Sequence, residues 1–370
     1  MSRSPFLTLS GAVAAEDGRS VAHYGGFLRE QRALAMGRAL VHRGDLAVIE
    51  LSGSDRLRWI DSLTTQRITG MQPGEARETL LLTPEGRVEH AFTVVETGEL
   101  ALLITSAERA NALCAWLDRM RFMLDVRVKI AAERHVLAWW GSEPDALPGL
   151  IGDAIQWPDP WGNPPEWGTS YRAEGGEVPD AWCLQLAVVN EAVAEAVADA
   201  GARGDVGLAG LDALTALRIA AWRPDIDHDV DERTIPHELD WLRSAVHLNK
   251  GCYRGQETVA KVHNLGHPPR RLAFLHLDGS DGELPAEDTL LHLAGDESKK
   301  PVGRLTSVAV HYEEGPIGLA LLKRSLPSDA ALVLPLPGGA DATVSVTEIV
   351  SPDAGHSFDV PRMPRLGRKA

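Results

Sequence analysis

Lys250-Gly251-Cys252-Tyr253-Arg254-Gly255-Gln256-Glu257 is the stretch on which the reading of this 370-residue chain turns. Two glycines four positions apart bracket a cysteine, an aromatic ring and a base. Glycine lets backbone approach a ligand closely or take a positive φ. Lys250, close before Cys252, would hold a thiolate and raise its reactivity. Tyr253 offers a flat face and a hydroxyl. Gln256 and Glu257 offer an amide and a carboxylate, which suit the donor–acceptor edge of a heterocycle. The same residues also fit a turn that enters a helix at Gly255 with Cys252 merely buried. Residue chemistry alone leaves both readings open. The stretch is not a phosphate loop, because it lacks the G-x-x-x-x-G-K-[ST] order.

Around this stretch the charge reverses. Asp225 to Asp240 holds seven acids against Arg233. Arg243 to Arg271 holds six bases against Glu257, with His247, His263 and His267 besides. Either the halves neutralise each other on folding, or the second forms a basic rim for an anionic ligand. Asp227-His228-Asp229-x-Asp231-Glu232 has the look of a metal run, but beside Pro224 it reads as a solvated acidic turn. No metal is expected.

Further out, short strands and helices alternate without the rhythm of a parallel sheet. Leu46 to Leu51 reads as a strand, and Leu57, Ile60 and Leu63 share one helical face. Glu78 to Thr83 and Val88 to Val95 flank a Pro84-Glu85-Gly86-Arg87 turn as a hairpin. Leu100 to Ile104 is a strand and Glu108 to Met123 a helix. Residues 141–180, with seven prolines and three tryptophans (157, 161, 167), read as a long loop, either pinned by its rings or facing a partner. Asn190 to Ala200 and Leu211 to Ala221 read as helices. From Arg271 onward, Leu272 to Leu277, Thr289 to Leu293, Gly303 to Val310, Ile317 to Leu322 and Val344 to Ile349 read as the strands of a small barrel. Residues 1–44 read as an N-terminal arm. The class is α+β.

Composition bounds the rest. A chain this long exceeds one ordinary core. Its net charge of −15 excludes broad coating of nucleic acid. Three cysteines about 70 residues apart (Cys114, Cys183, Cys252) fit neither a disulfide framework nor a zinc ligand pattern. That suits a cytoplasmic protein. No run approaches the 18 or so uninterrupted apolar residues of a membrane span.

Lys250 to Glu257 closely resembles the K-G-C-Y-x-G-Q-E signature of the YgfZ family. These are folate-binding proteins of the glycine-cleavage T-protein superfamily, linked to iron–sulfur enzyme maintenance and tRNA modification. Thr234-Ile235-Pro236-His237-Glu238-Leu239 resembles the superfamily's T-x-P-x-E stretch. Gly207 to Arg218 resembles the helix that ends in its L-R-x-x-A-G. Val48 to Leu63 and Leu80 to Val88 are similar to its V-x-x-x-x-G-x-D-x-x-x-x-L and L-x-P-x-G-x-V elements. Together these cover most of residues 40–275.

The resemblance implies a T-protein-like ring of three modules around a central folate cavity, with a C-terminal β-barrel. Residues 1–270 would form the folate-binding region. It would hold two α+β modules, roughly 45–130 and 131–270, the second with the N-terminal arm. Residues 271–360 would form the barrel and 361–370 a basic tail. The implied cofactor is tetrahydrofolate or a one-carbon derivative. Cys252 and Lys250 would be the catalytic pair. Tyr253, Arg254, Gly255, Gln256 and Glu257, with Arg218 and Glu238, would line or support the cavity. The glutamyl tail would point toward Lys250 and Arg254. The implied partners are folate and iron–sulfur enzymes or assembly proteins.

Two positions depart from the superfamily. T-proteins place an aspartate just after the Gly-x-Val hairpin, whereas this chain has Gly86-Arg87-Val88-Glu89-His90 and no aspartate before Asp118. Trp222 stands where glycine is usual, after Arg218-Ile219-Ala220-Ala221. The leading function is a folate-binding accessory protein. The alternatives are a folate-dependent aminomethyltransferase and a non-catalytic scaffold that binds a partner through the 141–180 loop.

Overall fold

A computed structural model describes residues 4–173, 179–280, 282–296, 298 and 300–355. The basic tail expected at 361–370 lies outside the described residues.

The first module is an antiparallel sheet in the order Ala76–Leu82, Val88–Glu96, Ala101–Ser106, Leu46–Ser52, Arg127–Ile130. One face packs Ile49, Leu51 and Leu103 against helices Arg56–Leu63 and Ala110–Met120, through Trp59, Ile60, Leu113 and Leu117. The second helix stops short of the expected Met123, because Phe122 takes a φ of 46°, outside the helical region.

The second sheet runs Ile155–Pro158, Leu184–Asn190, Arg134–Trp140, Ala39–His42, Gly207–Ala209, and only the last pair is parallel. The N-terminal residues are therefore not an arm. They supply the helix Phe27–Ala35 and an inner strand. One face of the sheet packs Leu40, Leu137 and Val189 against the helix Glu191–Arg203. The other face shares a core with the helix Leu211–Ala220 and with Val48, Leu102 and Ile104 of the first sheet.

Six antiparallel strands close the C-terminal barrel, in the order Arg270–Leu277, Gly315–Lys323, Gly303–His311, Leu290–Leu293, Leu332–Pro335, Asp341–Glu348. Alternation decides what each side chain meets. Ala273, Leu275, Ala320 and Leu322 fill the interior. Leu272, Phe274, Leu319 and Leu321 point the other way, into a core shared with Leu80, Ile219 and Trp241. That core joins all three modules. It also explains why Ile317 to Leu322 reads as one apolar run, since the strand is covered on both faces.

The 141–180 stretch contains the helix Leu147–Ile151 and the strand Ile155–Pro158. Trp157 and Trp161 are buried, and Trp167 is half exposed with its ring 5.4 Å from His247. Two of the three rings therefore pin the segment rather than face a partner. Trp222 is buried as well, 6.1 Å from Phe274 in the shared core.

Candidate functional site

The signature is built as a seam between modules. Lys250 is directed at the end of the helix Arg56–Leu63. Its ammonium donates to the carbonyls of Asp61 (2.5 Å), Thr64 (2.8 Å) and Gln66 (2.6 Å), with the Asp61 carboxylate 3.4 Å away. A helix C-terminus leaves carbonyls without partners and carries partial negative charge, so a buried ammonium fits there. Burial lowers the Lys250 pKa to about 8 and Asp61 opposes the shift, so the group stays charged near neutrality. Three carbonyls use all three of its N–H donors. The lysine is thereby committed to the backbone, and a thiolate at Cys252 is not what it serves. Cys252 itself is exposed, against the reading in which it was merely buried.

Gly255 takes a φ of 82° as the residue before the helix Gln256–Leu265. A Cβ there would meet the Thr83 carbonyl at 2.6 Å and Gly86 Cα at 2.9 Å. The signature thus closes backbone to backbone on the Pro84–Arg87 turn, which explains why both segments carry glycine. Tyr253 is buried in the core common to the modules, 5.7 Å from the Lys250 ammonium. Arg254 donates to Glu89 at 2.9 Å and lies 5.6 Å over Trp116. Gln256 donates to the Lys250 carbonyl at 3.5 Å, and Glu257 is exposed.

Glu238 is fully buried. It accepts from Arg270 (2.8 and 3.0 Å) and from the Ile235 N–H (3.2 Å). Arg270 also holds Asp231 at 2.5 Å, and Arg243 lies 3.3 Å from Asp240. The acidic and basic halves therefore neutralise each other in part, through Arg270 and Arg243.

A cavity of about 190 Å³ lies between the two sheets and the helix Leu211–Ala220. Of the nine residues singled out in the sequence, Arg218 alone is part of its lining. Arg218 donates to Asp229 (2.9 Å), Ser307 (2.8 Å) and the Arg223 carbonyl (3.0 Å), tying the cavity wall to the barrel. Arg43 grips Asp45 with two nitrogens, at 2.9 and 2.6 Å, and Arg223 lies 2.6 Å from Glu78. Five acids (Asp45, Glu78, Asp159, Asp225, Asp227) face these three arginines and His228 across the lining. His228 donates to the Glu287 carboxylate at 2.9 Å, which raises its pKa to about 9, so the wall sets four cationic groups against five acids. Burial alone would raise the Asp225 carboxyl, but Arg218 and then His228 outweigh it and hold it at about 2. Such a wall suits a ligand's N–H edge better than a carboxylate tail. Trp157, Trp182 and Phe92 supply flat apolar surface. Whole-ligand pockets start near about 300 Å³, so this one suits a bicyclic ring whose remainder extends outward. The sequence signal for Asp225 was its place in the acidic run. Glu78, Asp159 and Arg223 gave none, because their meeting is purely tertiary.

Residues 20–147 match the GCVT N-terminal domain family. The chain carries a GCVT N-terminal domain. It is 25% identical over 344 residues to a chloroplastic protein of Arabidopsis thaliana named as a transferase, covering 87% of this chain and 73% of that one. It is 22% identical over 311 residues to the tRNA-modifying protein YgfZ of Colwellia psychrerythraea, covering 83% and 91%. The glycine cleavage system aminomethyltransferase T of Bartonella henselae shares the fold, with a TM-score of 0.71 at 20% identity over 93% of this chain and 94% of that one. The GCVT N-terminal domain takes in the first sheet and the inner strands Ala39–His42 and Arg134–Trp140 of the second. The signature and the barrel lie beyond it. No helix among the described residues is long and apolar enough to cross a membrane.

Proposed function

We propose that the chain binds tetrahydrofolate or a one-carbon derivative in the cavity between its sheets and acts as an accessory protein for iron–sulfur enzymes, including ones that modify tRNA. The observation that carries this reading is the cavity wall, where acids and flat rings meet inside a T-protein-like fold. A carboxylate held ionised, as Asp225 is, accepts from the paired N–H donors of a reduced pterin. The names of the relatives, an aminomethyltransferase and a tRNA-modifying protein, support the ligand class and the role. Three free cysteines suit a cytoplasmic setting.

Aminomethyl transfer is the second reading, favoured by the shared fold. Glu89 weighs against it. It holds the hairpin position where T-proteins place an aspartate, yet it is paired with Arg254 and is absent from the cavity lining. Calorimetric titration with tetrahydrofolate, followed by an assay for methylenetetrahydrofolate from a lipoyl-bound aminomethyl donor, tests both. Saturable one-to-one binding without turnover is expected. No binding at high micromolar ligand contradicts the proposal, and turnover converts it to the second reading. Exposed Cys252 is assigned to the accessory role rather than to the cavity. Cys252→Ala is expected to fold and bind folate normally, yet to fail in rescuing iron–sulfur-dependent tRNA methylthiolation in a deletion strain. Full rescue removes that role.

A further inference from the structure

One end of the barrel gathers metal-binding side chains that the folate reading does not use. His311 ends the strand Gly303–His311, and Tyr312, Glu313 and Glu314 form the loop of a hairpin whose return strand starts at Gly315. Gly315 has a φ of 73°, a conformation that glycine supplies without strain, so the turn fixes Glu314 against His311. Nδ1 of His311 lies 3.8 Å from Glu314 Oε1. The neighbouring strand Arg270–Leu277 brings His276, whose Nε2 is 3.0 Å from Glu314 Oε2. Asp180 arrives from the second module. One ring nitrogen of His311 and one carboxylate oxygen each from Asp180 and Glu314 lie within 4.8 Å of one another.

The second observation concerns the histidine. His311 is 2% exposed, and its Nε2 is buried with no hydrogen-bond partner. Its Nδ1 receives only long N–H contacts, at 3.3 and 3.5 Å from Glu314 and Glu313. A buried imidazole is normally satisfied on both nitrogens. Here one nitrogen of a fixed, buried ring has no partner, although carboxylates of Glu314 and Asp180 lie beside the ring.

We propose that Asp180, His311 and Glu314 bind a divalent transition-metal ion of the zinc class, with His276 orienting Glu314 through its second oxygen. An imidazole among carboxylates favours zinc, cobalt or iron over magnesium and calcium, which take oxygen ligands. The hydrogen bond from His276 to a ligating carboxylate is the kind of outer support such sites use. The ion fastens the segment around Asp180 to the barrel hairpin. Trp182, two residues on, lines the central cavity, so the ion also steadies one of its walls.

The test uses full-length, tag-free protein stripped by a chelator and titrated with Co²⁺. One equivalent is expected to bind, with visible d–d absorption that Zn²⁺ abolishes and with a rise in Tm. Asp180→Asn changes an exposed residue and keeps the fold, and it is expected to weaken binding at least tenfold. His311→Ala is expected to abolish binding, and His276→Ala to weaken it about tenfold. His292→Ala, elsewhere on the barrel, is expected to bind as wild type. Absence of stoichiometric Co²⁺ binding to the folded protein, or unchanged affinity in Asp180→Asn, overturns the proposal.

Discussion

Trp222 shows how a single residue can oppose local and global preference. It follows the helix Leu211–Ala220 with a φ of 56°, and its N–H donates to the Ile219 carbonyl at 2.9 Å. This is the left-handed turn where helices usually end on glycine. An L side chain there costs about 1–2 kcal/mol, whereas removing a buried indole costs about 3–5 kcal/mol. Trp222→Gly is therefore expected to lower stability by about 2–3 kcal/mol in urea titrations despite relieving the backbone; higher stability would mean that strain dominates. Gly255 is the reverse case. Its left-handed φ and its approach to Thr83 leave no room for a side chain, so Gly255→Ala is expected to cost more than about 2 kcal/mol. The need for glycine here was legible from residue type. The partners of Lys250 were not, because main-chain carbonyls more than 180 positions away leave no trace in side-chain pattern.

Among elements, the helix Arg56–Leu63 depends on that lysine. Lys250→Ala leaves three carbonyls without their donor, and Asp61 without its counter-charge. A loss of about 2–4 kcal/mol is expected, read as a lower urea midpoint. Rescue by added metal or folate would indicate a binding role instead. Five of the six barrel strands were legible, since alternation and short turns mark hairpins, whereas the four-residue strand Leu332–Pro335 was not. The inner strand Ala39–His42 was not. It has four residues and pairs with Arg134–Trp140 and Gly207–Ala209, and such distant pairing sets no local period. A hydrogen-bonded chain anchors that strand. The Ser4 hydroxyl lies 3.2 Å from His42, His42 is 3.1 Å from His135, and His135 is 2.9 Å from Glu191.

Across the whole molecule, three modules share one core and depend on buried neutral histidines. Burial pushes His42 and His237 down to about 3 and His90 to about 4. In the unfolded chain these rings titrate near about 6.5. Their neutral forms thus favour the fold fully above that value, and the advantage is lost as pH falls through the window from about 6.5 to 3. At pH 5 each ring removes about 2 kcal/mol. Urea midpoints are expected to drop steeply from pH 7 to 5, with a shallower slope in His237→Gln; a flat profile contradicts this. The fold and the folate reading were legible from the signature and its neighbours, whereas the cavity wall was not. Its acids come from strands, helix and loop, and only packing brings them together. The account therefore places the ligand against Asp225 and treats Lys250 to Glu257 as the seam that holds the walls in place. The most direct test is tetrahydrofolate calorimetry on Asp225→Asn beside Arg254→Ala. Affinity is expected to fall about 10- to 100-fold in the first, and less than about threefold in the second, whose partly exposed ion pair is worth little. The opposite order would move the site to the signature and contradict the account.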